Sequence, residues 1–516
     1  MTGLTEPSSS AAEARFERVR QRAGFALAPL LFLALWFWPL PGLAEPAHRL
    51  LAVMAAVVTL WMTESLPLPV TALLGPVLCL LCGAFPEDAG PEPMRRVLRS
   101  FADPIIFLLL GSFLLAEAME RHGLNRRIAF ALLGLPGVGR SPGRLLAAFG
   151  AVTGFISMWM SNTATTAMMF PIALAILGEI GRRQPGPGGH PGAPAFATAL
   201  LLTTAFAASL GGLATPVGTP SNLIGLGFIR NQLQMDISFL QWMSFGTPLA
   251  AVLIGLFALQ MRRANHGPSL PHGPAGFDWL QAERARLGRL GPGERNVLLV
   301  FVGTVTLWVL PGLLDLAAGG PTPPTAWMKV HLPEPIIGLL GGLALFLLPV
   351  HLGRAEFTLH WKDAARIDWG TILLFGGGLA LSDLMFGTGL ARWLGESLSG
   401  ALQANNTLGL VALFTAVAIL LSETTSNVAA AGMAVPVAIA VSQAAGVDPL
   451  PPALGACLGA SMGFMLPVST PPNAIVYGSG RIPLLHMARH GAWLDVIGFL
   501  LIVPTATWII PRLLAR

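Results

Sequence analysis

Ser-Asn-Thr-Ala-Thr-Thr-Ala-Met-Met-Phe-Pro at residues 161–171 and Ser-Asn-Val-Ala-Ala-Ala-Gly-Met-Ala-Val-Pro at residues 426–436 are two versions of one phrase, set 265 residues apart. The flanks keep that offset: Ser157 maps to Ser422 and Asp103 to Asp368. Downstream, Gly218-Thr219-Pro220-Ser221-Asn222 is answered by Ser469-Thr470-Pro471-Pro472-Asn473 at an offset of 251. A Gly/Pro-rich insert, Gln184 to Pro194, occurs only in the first half and roughly accounts for the shortfall. Paired polar, helix-breaking elements inside apolar sequence are the best sequence pointer to a transporter's binding site. The chain reads as a duplicated unit.

The surrounding composition supports a membrane protein. Of 516 residues, 53% are hydrophobic and 11% charged, with mean hydropathy +0.66. Soluble domains carry about 25% charged residues, and apolar runs this long have no place in them. The pI near 9.8 does not point to nucleic acid, because the basic residues sit in short loops and no basic-aromatic platform is present. Lys329 and Lys362 are the only lysines. Cys79, Cys82 and Cys457 lie in apolar segments. The Cys-x-x-Cys, one turn apart with no histidine nearby, reads as packing rather than a redox or metal site. The arginine-rich N-terminus lacks a short apolar core followed by a cleavage site, so a cleaved signal peptide is not expected.

An all-α polytopic fold follows. Spans are expected at 25–44, 48–64, 67–85, 102–119, 196–230, 238–261, 296–315, 334–350, 369–386, 450–478 and 490–512. Two apolar stretches, 145–180 and 406–442, carry the Ser-Asn phrases at their middles. Each is too long for one span and reads as a re-entrant hairpin, tolerable only if its tip is buried or lines a wet cavity. About eleven spans and two hairpins, with the N-terminus cytoplasmic and the C-terminus outside, place most arginine clusters inside. The cluster Arg95, Arg96 and Arg99 is an exception. The two halves then run in opposite senses, an inverted repeat. The organisation expected is a cytoplasmic tail 1–24 and a first scaffold part 25–140. A first transport half 141–262, a cytoplasmic linker 263–295, a second scaffold part 296–400 and a second transport half 401–516 follow.

A Ser-Asn-Thr tip offers neutral hydroxyl and amide oxygens, hard ligands for a small cation. The helix starting there presents free N–H groups and a positive dipole end, which favour an anion. One tip can therefore seat a sodium ion beside an anionic substrate without a charged side chain in the bilayer. Pro220 and Pro471 break their spans and free carbonyl groups. A single Ser-Asn in an apolar helix is ordinarily an interhelical hydrogen bond, and a lone proline an ordinary kink. Both repeated in register argue for a binding site. Glu423 beside the second phrase either neutralises a cation or ends a helix in water. Glu64 and Asp383, near span ends, are expected to be exposed. Glu117 and Glu120 close a span beside Arg121, and His122 and His486 have no assigned role.

On these motifs the chain resembles the divalent anion/sodium symporter family, which includes bacterial and animal di- and tricarboxylate and sulfate transporters. The likeness runs from about residue 25 to the end. It implies a first sodium site from Ser157, Ser161, Asn162 and the Gly218 carbonyl. The second would use Ser422, Thr425, Ser426, Asn427 and the Ser469 carbonyl. Substrate carboxylates would meet Ser161, Asn162, Thr163, Ser426 and Asn427, with Thr219, Thr470 and Pro471 completing the pocket. Val428 takes the place of a second threonine in the substrate set and removes one hydroxyl. A homodimeric scaffold holding a mobile transport domain, an elevator in the bacterial inner membrane, is also implied.

The function expected is sodium-driven import of a small dicarboxylate such as succinate, malate or fumarate, with at least two sodium ions. Sulfate or citrate is the alternative cargo. Two opposed Ser-Asn tips suit two separated anionic groups. An anion exchanger on this fold would replace the ions with fixed cations, and no Arg, Lys or His lies at either tip. An anion channel would show flux without a driven partner. An intramembrane hydrolase would need a base near Ser161 or Ser426, and no histidine lies in either hairpin core, so no enzyme is expected.

Overall fold

The computed structural model describes residues 11–86, 92–135, 137–138, 141–183, 194–264, 278–402 and 406–514. It is helical almost throughout, with one two-stranded ribbon, Pro349–His351 against Glu356–Phe357. Ten described helices are long and apolar enough to cross a membrane, eleven if the bent pair Pro323–His331 and Glu334–Leu347 counts as one span. Three of the ten are hairpin arms, and one, Ala195–Gly212, belongs to a span broken at its midpoint.

Hairpin 1 runs Pro142–Ser157, a tip at 158–161, then Asn162–Arg183. Hairpin 2 runs Thr407–Thr424, a tip at Thr425-Ser426, then Asn427–Ala444. Each reversal is made by a serine whose side chain leaves the helix and caps the next one. Ser161 Oγ accepts from Ala164 N at 3.3 Å, and Ser426 Oγ from Ala429 N at 3.2 Å. Broken span 1 is Pro194–Gly212 and Pro220–Leu233; broken span 2 is Leu450–Gly459 and Pro471–Tyr477. Proline at the first helical position restarts both, where a missing N–H costs nothing.

Glycine brings these pieces together. A Cβ on Gly211 would lie 2.3 Å from Gly154 O, so hairpin 1 and broken span 1 touch backbone to backbone. A Cβ on Gly459 would lie 2.8 Å from Thr415 O, the same device between hairpin 2 and broken span 2. The halves then interlock. The second arm of hairpin 1 packs on Pro471–Tyr477, and the second arm of hairpin 2 on Pro220–Leu233. The repeat extends outside this bundle. Asp103 caps Pro104–Arg121 through Ile105 N at 2.9 Å, and Asp368 caps Trp369–Gly387 through Thr371 N at 2.9 Å. A second buried cluster unites Glu45–Thr63, Leu68–Leu81, Trp369–Gly387 and Leu390–Leu402.

Several expectations need adjustment. The first helix is Ala11–Phe37, so it takes in much of the supposed tail and stops before Pro39 and Pro41, which cannot continue it. In the linker, Asp278–Arg286 is helical and docks through Glu283 to Arg126 at 3.2 Å. His266 and His272, and residues 184–193 of the insert, lie outside the described residues. Glu64 is not simply exposed: it pairs with Arg20 at 2.5 Å. Asp383 is half-buried, accepting from Ser100 Oγ at 2.7 Å and Gln232 Nε2 at 3.0 Å. His122 binds the Thr358 carbonyl at 2.7 Å, a structural tie. Cys79, Cys82 and Cys457 are free thiols, with Cys79 and Cys457 buried.

Candidate functional site

The hairpin tips repeat one construction. Ser157 Oγ donates to Asn162 Oδ1 at 2.8 Å, and Ser422 Oγ to Asn427 Oδ1 at 2.8 Å. The asparagine amide oxygen thus turns back toward the arm that precedes it. Both serines are fully buried; Asn162, Asn427, Ser161 and Ser426 are half-buried, and Thr163 reaches the surface.

Opposite each tip stands a glycine with no room for a side chain. A Cβ on Gly212 would sit 2.6 Å from Asn162 Oδ1 and 3.1 Å from the Gly218 carbonyl. These two oxygens, both expected to bind the first sodium, therefore converge on one point. Gly463, its repeat mate, would place a Cβ 2.8 Å from Ser422 Oγ and 2.9 Å from the Ser422 carbonyl. The residues at Gly212 fit a small cation, since neutral oxygens from two elements gather at a cradle that only glycine leaves open; at Gly463 both oxygens come from Ser422.

The span breaks are held open by a matching clamp. Asn222 Nδ2 donates to the Gly212 and Thr215 carbonyls, both at 2.9 Å. Asn473 Nδ2 donates to the Gly463 carbonyl at 3.2 Å and the Leu466 carbonyl at 3.0 Å. Each amide ties two carbonyls of the break together; those of Thr215 and Leu466 also accept from Gly218 N and Ser469 N, at 3.3 and 3.2 Å. Thr470 Oγ1 caps Asn473 N at 3.4 Å. Thr219 instead meets the Ser221 hydroxyl at 3.2 Å, and Ser221 meets Ser461 of the other broken span at 2.7 Å. Pro471 is exposed and Val428 half-buried beside the second tip.

The halves differ where hairpin meets break. In the first, Thr215 Oγ1 donates to the Met158 carbonyl at 2.5 Å. In the second, Glu423 occupies the position of Met158. Its Oε1 accepts from Phe464 N at 2.6 Å and Met465 N at 2.8 Å, and its Oε2 from Ser469 Oγ at 2.7 Å. Ser469 Oγ also lies 3.0 Å from the Glu423 carbonyl. Glu423 is therefore buried and anchored, not at a wet helix end. Thr425 Oγ1 turns back to the Leu421 carbonyl at 2.9 Å.

Reading the sequence found the tips and the breaks. It missed Gly212 and Gly463, although their 251-residue offset was a usable signal, and it assigned no part to Asn222 and Asn473. Among the described residues no group of three or more His, Cys, Asp or Glu could hold a metal ion.

The profile of the sodium:sulfate symporter transmembrane region matches residues 21–514. The sodium-dependent dicarboxylate transporter SdcS of Staphylococcus saprophyticus is 34% identical over 509 residues, covering 98% of this chain and 94% of the relative. Its namesake from Staphylococcus aureus strain USA300 is 34% identical over 499 residues, covering 96% and 92%. In structure the chain is similar to the Alcanivorax borkumensis YdaH transporter, with TM-score 0.55 over 90% of this chain and 98% of that one, at 15% identity. That likeness concerns the fold alone. The profile spans nearly all of the sequence and the relatives align almost end to end, so the chain belongs to the sodium:sulfate symporter family and is a transporter, not an enzyme.

Proposed function

We propose that this protein is a sodium-coupled symporter that imports a small dicarboxylate dianion. The observation that carries the reading is the convergence of Asn162 Oδ1 and the Gly218 carbonyl on the Gly212 cradle, with a related cradle at Gly463 lined by the hydroxyl and carbonyl of Ser422. Two such cradles supply two sodium sites, formed by Ser157, Ser161, Asn162 and Gly218, and by Ser422, Thr425, Ser426, Asn427 and Ser469. The relatives' dicarboxylate specificity supports the cargo.

The helices starting at Asn162 and Asn427 turn free N–H groups toward the space between the tips, where a dianion's two carboxylates fit. Ser161, Asn162 and Thr163 face one carboxylate; Ser426 and Asn427, with Val428 alongside, face the other. Thr219, Thr470 and Pro471 close the pocket. Sodium at the cradles draws both asparagine oxygens inward, which leaves their amide N–H groups for the substrate. Coupling is then the difference in anion affinity with and without sodium. The two hairpins with their broken spans move as one body past a homodimeric scaffold, in an inner membrane with the N-terminus cytoplasmic and the C-terminus outside.

Uptake of labelled succinate into proteoliposomes tests this, with an inward sodium gradient against choline. Uptake that requires sodium and is lost in Asn162→Ala and Asn427→Ala supports symport. Sodium-independent uptake that requires internal dicarboxylate means exchange instead. The family's sulfate members and the missing hydroxyl at Val428 make sulfate the second cargo to try, as a competitor of succinate.

A further inference from the structure

The first arm of hairpin 1, Pro142–Ser157, and the helix Phe239–Ala264 run side by side and leave a groove of about 440 Å³ between them. Small residues make the room. Gly143, Ala147 and Ala151 recede on one wall, and Ala251, Gly255 and Ala258 on the other. Phe155 and Leu259, 48% and 40% exposed, stand at the rim. Phe239–Ala264 is apolar and long enough to cross a membrane, so the groove opens to the bilayer. Its ends differ. One stops at Met158 and Ala214, behind the tip of hairpin 1, where Thr247 Oγ1 donates to the Ala214 carbonyl at 3.0 Å. The other carries Arg262, whose stem lies over Gly143: a Cβ there would sit 2.8 Å from Arg262 Cδ.

The shape selects the occupant. Gly143 to Met158, and Thr247 to Arg262, each span fifteen residues, about 22 Å of helix, whereas one leaflet is about 15 Å deep. Volume over length gives a section of about 20 Å², the width of a single extended hydrocarbon chain. An α-helix of another chain, about 10 Å across, does not fit. The charge selects the head group. No Asp or Glu lines the groove and Thr247 is already engaged, so Arg262 is the polar side chain left for a ligand. Arg144 follows Gly143 and Arg263 follows Arg262. Among the described residues none of the three arginines enters an ion pair. Guanidinium groups without carboxylates, at the end of an apolar groove, complement a phosphate.

We propose that this groove holds one acyl chain of an anionic phospholipid, with its phosphate on Arg262 and with Arg144 and Arg263 adding positive charge around it. The chain fills the space that the small residues leave between the hairpin arm and the helix Phe239–Ala264. Its end abuts Met158, four residues before Asn162. The lipid therefore braces the first arm up to the tip that carries the proposed first sodium site. As a lipid site this stands without the symport reading; as a brace on the tip it rests on it.

The test is native mass spectrometry of the purified full chain, delipidated and then titrated with phosphatidylglycerol or phosphatidylcholine of the same acyl chains. One phosphatidylglycerol per chain is expected to bind tightest, with phosphatidylcholine weaker by about tenfold. Ala151→Phe fills the groove and should remove that tightest site for both lipids. Arg262→Gln should bring phosphatidylglycerol down to the level of phosphatidylcholine. Should Ala151→Phe not fold, judged by its thermal melt, Ala251→Leu fills the groove from the other wall and is read in the same way. Undiminished binding in a folded groove-filling variant overturns the proposal, and so does equal affinity of the wild type for the two lipids. A loss of lipid that follows a change of oligomeric state means that a second copy covers the groove, and overturns it too. Succinate uptake is measured on the same variants in vesicles with and without phosphatidylglycerol. Uptake unchanged in Ala151→Phe, with the lipid lost, removes the brace. If wild-type uptake ignores sodium while Ala151→Phe still loses the lipid, the symport reading fails and the lipid site stands.

Discussion

Asn231 donates its side-chain amide to the Asp103 carboxylate at 2.9 Å, and its neighbour Gln232 donates to Asp383 at 3.0 Å. These bonds fasten the end of broken span 1 to the outer helices Pro104–Arg121 and Trp369–Gly387. They join the parts that the proposed motion slides past one another, so they hold the conformation seen here. A hydrogen bond to a charged group contributes roughly 1.5–3 kcal/mol, or about 10- to 150-fold in a two-state equilibrium. Asn231→Ala should shift the balance of inward- and outward-open forms by that order. Solvent accessibility of a cysteine placed at position 163, read by maleimide labelling, checks it; an unchanged labelling rate would remove the latch.

Gly212→Ala brings a methyl group to 2.6 Å from Asn162 Oδ1, a contact that side chains do not make without displacement. The displaced oxygen can no longer face the Gly218 carbonyl. We expect the sodium concentration for half-maximal uptake to rise by about tenfold or more, a loss of ~1.4 kcal/mol or more. Gly463→Ala should do the same at the second site. Sodium titration of succinate uptake measures both.

Asn473→Ala removes a clamp and leaves the Gly463 carbonyl without its donor, while the Leu466 carbonyl keeps Ser469 N at 3.2 Å. An unsatisfied buried polar group costs about 1–3 kcal/mol. A clearly lowered melting temperature in detergent should follow, with Asn222→Ala close to it. A melt that does not move would show that water replaces the amide.

Arg127 grips Glu294 with two bonds, at 2.8 and 2.9 Å, and donates to the Leu287 and Gly288 carbonyls at 2.9 Å. Both charged side chains are largely buried, so this ion pair is not a screened surface contact. Arg127→Ala should release the linker after Asp278–Arg286, at a cost of roughly 1.5–3 kcal/mol. Faster tryptic cleavage at Arg284–Arg289 is the readout, and uptake should fall less than for either hairpin asparagine.

The limits of sequence reading show at particular residues. Glu423 follows an apolar helix and precedes a break, a position equally consistent with burial or water. Only the fold of Phe464 and Met465 back over it decides, because two amides must aim at it together. Asp383 stands near a span end, yet Ser100 and Gln232 reach it from distant parts of the chain. Asp495, buried on the helix Leu484–Pro504, has no repeat mate at either offset, since Arg230 and Ser244 occupy those positions. No internal comparison flags it.

By itself, then, the sequence determined the membrane class, the duplication, both hairpins and both span breaks. Hydropathy, proline and the register of a repeat are local properties that survive in one dimension. Tertiary structure alone decided which polar groups meet. The rotation of each helix about its axis is set by the neighbours it packs against, here through glycines with no room for a side chain. That rotation turns Asn162 and the Gly218 carbonyl onto one cradle, and brings the Phe464 and Met465 amides to Glu423.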